Sequence, residues 1–207
     1  VKAAGQHGTE RFILISTDKA VAPSSVLGAT KRIAEVILRR AAPSSPCAMG
    51  VVRFGNVLGS SGSVVPKFQD QIRAGGPVTL THPEMTRFFM LIPEAVQLVL
   101  HAAALGGPGA TYILEMGEQI RIVDMARTLI RLSGFIPEKE IPIVYTGIRP
   151  GEKLREELVE EGEEAEPSGM TQILKVSGGD EGGRDFDKDL ADLEAAAARD
   201  EAAQVMG

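Results

Sequence analysis

"RFILISTDKAVAPSSVLGATKRIAEVIL", residues 11–38, is the stretch on which the fold turns. Its first six residues form a short apolar run of the kind that is buried on both faces of a parallel sheet. Pro23, Ser24 and Ser25 then supply turn and N-cap chemistry, and a helix is expected over about residues 26–40. Ile33, Ala34, Ile37 and Leu38 recur at helical spacing and give that helix an apolar side.

Strand and helix go on alternating from there. After the loop "PSSP" (43–46), "AMGVVRFGNV" (48–57) reads as a second buried strand. A small-residue loop, "LGSSGS", leads into a helix through "VVPKFQDQIRA", which "GGP" closes. Short strands are expected at 78–81 and 86–91, and Pro93 suits the first turn of the next helix. "ATYILEM" (110–116) reads as a strand, "VDMARTLIRLSG" as a helix ended by Gly134, and "IPIVYTG" as a strand. This alternation predicts an α/β protein with a mostly parallel, doubly wound sheet and helices on both faces. After about residue 160 the texture changes. "EEGEEAE", "SGGDEGGRD" and the Ala/Glu-rich "LADLEAAAARDEAAQVM" predict a unit at 1–160 and an acidic tail at 161–207, partly helical or disordered and solvated.

Composition narrows the function classes. The chain has 207 residues, 43% hydrophobic and 24% charged, as in an ordinary globular protein. A net charge of −6, 4% aromatics and no Trp argue against nucleic acid as a partner. They leave room for a local basic pocket that holds one phosphorylated ligand. The one cysteine, Cys47, allows no internal disulfide, and His7, His82 and His101 have no metal-ligand spacing, so no metal is expected. No apolar run reaches the ~18 residues of a membrane span. The chain begins without Met, inside what reads as the end of a helix, and is expected to be a piece of something longer.

Chemistry gathers at strand ends. In a parallel sheet, side chains just beyond the carboxyl ends of strands line the ligand crevice, and Thr17, Asp18 and Lys19 stand there. A carboxylate beside an ammonium supplies an acid–base group of each sign. Lys31 lies one helical turn after Leu27 on the same face. Asn56 follows a glycine at the second strand end and offers both a donor and an acceptor. Arg87 sits amid apolar residues in "MTRFFM", and Arg149 in "RPGEK" between strand and helix. Two converging arginines suit a diphosphate; two structural ion pairs are the rival reading.

The motifs "LISTDKAV", "GATKR", "RFGNVLGSSGSVVPKF", "GGPVTLTHPEMTRFFM", "IPEAVQLVL", "EMGE", "IVDMARTLIRLSG" and "TGIRPGEKLREEL" occur in this order through residue 158. Together they resemble the carboxyl-terminal half of the nucleoside-diphosphate-sugar 4,6-dehydratases of bacterial polysaccharide biosynthesis. These are extended short-chain dehydrogenase/reductases, and the UDP-N-acetylglucosamine 4,6-dehydratase branch fits best. The resemblance implies a partial Rossmann-like sheet with a small α/β substrate-binding subdomain. It also implies a UDP-sugar substrate, the cofactor NAD(P), most plausibly NAD, a homo-oligomer when intact, and a cytoplasmic catalytic part whose parent is anchored in the inner membrane.

The reaction implied is oxidation at sugar C4, loss of the C5 proton with water leaving from C6, and return of the hydride to C6. By position, Thr17, Asp18 and Lys19 correspond to the family's Thr-Asp-Lys. Asp18 is then the acid for the C6 hydroxyl and Lys19 the C5 base. Lys31 corresponds to the lysine on the nicotinamide ribose, with Ser16 beside it as a cofactor contact. Asn56, Arg87 and Arg149 fall where the family grips the UDP-sugar, and Glu152 where it meets the ribose. Both arginines are expected to face ligand and to lack protein partners. Leu27 stands where smaller relatives carry the catalytic tyrosine and large membrane-attached ones methionine. Ala22 stands where the branch usually has asparagine. In that branch Asp18 also accepts the C4 hydroxyl proton.

No G-x-G-x-x-G occurs, so the isolated chain is expected to be inactive and to bind NAD poorly, its missing amino-terminal half being the natural partner. The rivals are a UDP-sugar epimerase, which would keep the tyrosine that Leu27 replaces, and a non-catalytic nucleotide-sugar-binding or assembly module.

Overall fold

The computed structural model describes residues 1–60, 62–179 and 185–199. A short helix, α1 (Lys2–Gln6), precedes β1 (Arg11–Thr17), α2 (Val26–Ala41) and β2 (Ala48–Phe54). Next come β3 (Asn56–Val57), α3 (Val64–Arg73), β4 (Val78–Leu80), β5 (Thr86–Arg87), β6 (Phe89–Met90) and α4 (Ile92–Leu105). They are followed by β7 (Ala110–Leu114), β8 (Ile120–Arg121), α5 (Ile122–Leu132) and β9 (Ile143–Tyr145), and then by β10 (Glu163–Pro167), β11 (Ile173–Gly178) and α6 (Phe186–Ala198). The main sheet has the order β1-β2-β7-β11-β10, with β1, β2 and β7 parallel and β11 and β10 antiparallel. It is the expected α/β, Rossmann-like arrangement.

Alternate residues of β1 and β2 go to opposite faces, and both faces are covered. Phe12, Leu14, Met49 and Val51 pack with Leu38 of α2, while Ile13 and Val52 pack with Leu98 and Ala102 of α4. That is why these strands read as unbroken apolar runs. A second core gathers Phe68 and Ile72 of α3, Leu80 of β4 and Val123 and Ile130 of α5. It forms the small α/β subdomain, with β4 paired to β9 and β5 to β8.

Two expected strands are each broken in two. The run 48–57 breaks at Gly55 and the run 86–91 at Phe88, because the chain crosses here from one core to the other. A Cβ on Gly55 would stand 2.7 Å from Phe88 Cβ, so only glycine lets the two segments cross. The amide of Asn56 then donates to the Phe88 carbonyl at 3.0 Å, and β3 pairs with β6.

The segment after residue 160, expected as solvated or partly disordered tail, instead extends the sheet by β10 and β11. Its acidic run holds one carboxylate that is not solvated at all. Glu163 has a fully buried side chain and takes Arg53 Nη1 on Oε2 at 2.6 Å and Nη2 on Oε1 at 3.0 Å. Arg53, itself buried on β2, also binds Glu35 of α2 at 2.7 Å, and Glu35 accepts the Ser16 hydroxyl at 2.5 Å. The helical part of the tail is present as α6; the remainder of it, 180–184 and 200–207, lies outside the described residues.

Burial alone would push the Glu163 carboxyl up. The hydrogen bonds and charge of Arg53, the Glu160 amide and the Arg32 charge outweigh burial and hold it below the ordinary carboxylate range. A depressed folded value means this stabilisation is complete above about pH 4.3 and is lost as the pH falls through the folded value. Glu163→Ala is expected to destabilise the fold by about 3–5 kcal/mol in urea unfolding near neutral pH, since it strips a buried arginine of one partner. A loss below about 1 kcal/mol, the scale of a surface pair, contradicts the assignment.

Candidate active site

The end of β1 turns at once into a single 3-10 turn, Asp18–Ala20, which Thr17 caps by accepting the Lys19 amide at 3.4 Å. This turn fixes the acid–base pair. Asp18 is fully buried; its Oδ1 accepts both Lys19 Nζ and the Thr17 hydroxyl at 2.9 Å, and its Oδ2 has no partner. Lys19 Nζ also donates to Asn56 Oδ1 at 3.3 Å, so the ends of β1 and β2 meet through one ammonium. Helix α2 starts hard against the turn. A Cβ on Gly28 would lie 2.2 Å from the Lys19 carbonyl oxygen, so the close approach requires glycine there.

The "RPGEK" loop closes the other side. Lys153 Nζ donates to the Val21 carbonyl at 2.8 Å, and the Ser24 hydroxyl to the Gly151 carbonyl at 2.9 Å. Gly151 has φ of +76°, and a Cβ there would come 2.6 Å from the Ser24 carbonyl. Between loop and turn lie two adjoining cavities of about 320 Å³ each, which share Arg87, Arg149 and Glu152 in their walls. Lys19 lines one and Asn56 the other. A larger hollow of about 580 Å³ beside Ser25, Ile33 and Leu193 carries no charged residue in its wall, whereas the smaller pair is lined by Lys19, Arg87, Arg149 and Glu152.

Asp18, Lys19, Asn56, Arg87, Arg149 and Glu152 are thus brought together. Arg87 departs from the expectation that it lacks protein partners. It is buried, donates to the Thr86 carbonyl at 2.7 Å and the Leu154 carbonyl at 3.2 Å, and lies 3.9 Å from Glu152 and 3.7 Å from Glu156. Arg149 is exposed at the cavity mouth, and its amide donates to Glu152 Oε2 at 3.2 Å.

Lys31 and Ser16 line neither cavity. Lys31 reaches back to the Ile15 carbonyl at 3.2 Å with one N–H, which leaves two for a ligand. The Ser16 side chain points toward α2 and is 3% exposed, its hydroxyl held by Glu35 in the interior rather than offered to a ligand. Leu27 is 59% exposed, an apolar residue on open surface one turn before Lys31.

Glu156 is the residue that sequence reasoning passed over. The motif "TGIRPGEKLREEL" points to Arg149 and Glu152 alone, yet Glu156 is 3% exposed and lines the cavity with Lys19 and Arg87. Its place seven residues after Arg149 in the same motif was the available signal.

Residues 1–178 match the family described as polysaccharide biosynthesis protein. The chain belongs to this family. Across 162 residues it is 56% identical to the probable polysaccharide biosynthesis protein EpsC of Bacillus subtilis (strain 168), covering 78% of this chain and 27% of EpsC. The polysaccharide biosynthesis chain thus spans about a quarter of the length of that curated relative. Among solved structures, Pen from Bacillus thuringiensis superposes with a TM-score of 0.77 at 32% identity, over 88% of this chain and 57% of Pen. DesIV of Streptomyces venezuelae, a dTDP-glucose 4,6-dehydratase solved with NAD, gives a TM-score of 0.67 at 18% identity, over 76% of this chain and 53% of DesIV, a likeness of fold alone.

Ala22 has a physical consequence within this site. It sits at φ +37°, a left-handed conformation in which an ordinary Cβ costs about 1–2 kcal/mol and which asparagine tolerates better. Ala22→Asn is therefore expected to raise stability by about 0.5–1 kcal/mol, read as a higher Tm. An unchanged or lower Tm would show that the turn is not strained there.

Proposed function

We propose that this chain is the catalytic and substrate-binding part of a UDP-sugar 4,6-dehydratase, with UDP-N-acetylglucosamine as the substrate. The observation that carries the reading is the pair of buried Asp18 and half-buried Lys19 at the strand end, with Asn56 on the same ammonium and the arginine-lined cavities beside it. A module that only binds a nucleotide-sugar has no use for a buried carboxylate of which one oxygen is unpaired. An epimerase reading lacks a hydroxyl at Leu27 to exchange the C4 proton.

The fit of a nicotinamide cofactor rests on Lys31, whose two remaining N–H groups at the carboxyl end of β1 suit a ribose diol. Its pyrophosphate needs a glycine turn at a helix N-terminus, which is supplied from outside this chain. When bound, a nicotinamide would supply the acceptor for the C4 hydride and the donor to C6. The chain's own residues handle the protons. Asp18 takes the C4 hydroxyl proton as that carbon is oxidised and so becomes the neutral acid. Lys19 Nζ, 2.9 Å from Asp18 Oδ1 and acting as a free amine after giving a proton to solvent, takes the C5 proton. Asp18 protonates the departing C6 hydroxyl so that water leaves, and Lys19 returns a solvent-exchanged proton to C5 as the hydride reaches C6, which leaves both groups as they began. Asn56 holds the lysine in reach, and Arg87 and Arg149 hold the diphosphate. The parent's inner-membrane anchor belongs to this proposal as well; among the described residues no helix is long and apolar enough to cross a membrane.

In the full-length protein, Asp18→Asn is expected to lower turnover by roughly 10²–10⁴-fold while UDP-sugar affinity barely changes. Near-normal turnover would remove Asp18 from the chemistry. Arg149→Lys is expected to weaken UDP binding by about 1–3 kcal/mol with Tm unchanged, because the bonds Arg149 makes to the fold, its amide to Glu152 Oε2 at 3.2 Å and its carbonyl from the Glu152 amide at 3.0 Å, are both backbone. A falling Tm with unchanged UDP affinity would make Arg149 structural.

A further inference from the structure

Glu156 is held where a carboxylate is uncomfortable. Its backbone carbonyl accepts Gln119 Nε2 at 2.7 Å, which pins the segment and keeps the side chain from swinging out to water. Oε1 lies 3.7 Å from Arg87 Nε, beyond hydrogen-bond reach, and Oε2 is buried without a partner. Asp18 and Lys19 face it from the turn after β1, Arg87 from β5, and Glu152 and Lys153 from its own segment. Lys153 is committed to the Val21 carbonyl. Burial pushes the Glu156 carboxyl above the ordinary range; the Lys19 ammonium opposes this and the Asp18 carboxylate adds to it.

A second anion changes the balance. A diphosphate on Arg87 and Arg149 brings negative charge against Glu156 and takes up the guanidinium charge that favours its ionised form. A neutral carboxyl there removes the repulsion and converts an unsatisfied acceptor into an O–H donor. We propose that Glu156 is a ligand-contacting residue of this cavity, and that a nucleotide diphosphate binds together with one proton taken from solvent onto Glu156 Oε2. This rests on the nucleotide-sugar reading of the same site.

The test is calorimetric titration of UDP-N-acetylglucosamine into the full-length protein from about pH 6 to about pH 8.5, in buffers of different ionisation heat. The pyrophosphate diester keeps its charge over that range, so the ligand adds no titration of its own. Affinity is expected to fall by up to about tenfold per pH unit above the free carboxyl's midpoint, with uptake of up to about one proton. Glu156→Gln is expected to abolish both the slope and the uptake while binding at high pH at least as tightly as the native chain. The native slope persisting in Glu156→Gln, or pH-independent binding by the native chain, overturns this inference and leaves the nucleotide-sugar reading standing. No binding at any pH overturns both. Should Glu156→Gln fail to fold, carbon-13 NMR of glutamate-labelled native chain decides: the Glu156 carboxyl must move to its protonated position as ligand is added, and an ionised carboxyl in the complex contradicts the proposal.

Discussion

Arg53 carries a charge into the interior of the sheet, and the two carboxylates that meet it come from 18 and 110 residues away. Burial disfavours that charge; the hydrogen bonds to Glu35 and Glu163 outweigh the penalty and raise the guanidinium's hold on its proton. Three elements are tied at one point, α2 through Glu35, β2 through Arg53 and β10 through Glu163. The tie reaches the chemistry directly. Glu35 also holds Ser16, two residues before Asp18, and Arg53 lies three residues before Asn56. Both strand ends that meet at Lys19 therefore hang from the same ion cluster.

From that anchor the site follows by close approach. Gly28, Gly55 and Gly151 are the points where a Cβ would strike neighbouring backbone or side chain, and each stands where one segment of the site crosses another. The acid–base pair is set on a rigid turn between a strand and a helix, and the arginines come from the second core. The cavities lie at the seam between the two, as expected for a ligand site in an α/β fold. The same seam explains why Arg87 both binds protein groups and faces the cavity.

Local pattern made most of the fold legible. The strand at residues 11–16, the helix from residue 26 and the alternation behind them follow from apolar spacing and from Ser25 as N-cap, whose hydroxyl accepts the Gly28 amide at 3.2 Å. Long-range pairing was not legible. Nothing near Glu163 announces that Arg53 will bury it, so an acidic run was read as solvated tail although it begins a strand. Strand alternation likewise turns the Ser16 side chain toward α2, although its position beside Thr17 and Asp18 reads as a cofactor contact. The site's own residues were legible through the motifs, except Glu156, whose burial depends on Arg87 and Gln119, both distant in sequence.

The central claim is that this site dehydrates a sugar. It is tested most directly by incubating the full-length protein with UDP-N-acetylglucosamine carrying deuterium at C4, in ordinary water, and locating the label by NMR and mass spectrometry. The account predicts a 4-keto-6-deoxy product with the C4 deuterium at C6 and a solvent-derived proton at C5. A product epimerised at C4 that keeps its deuterium there and its C6 hydroxyl would contradict it.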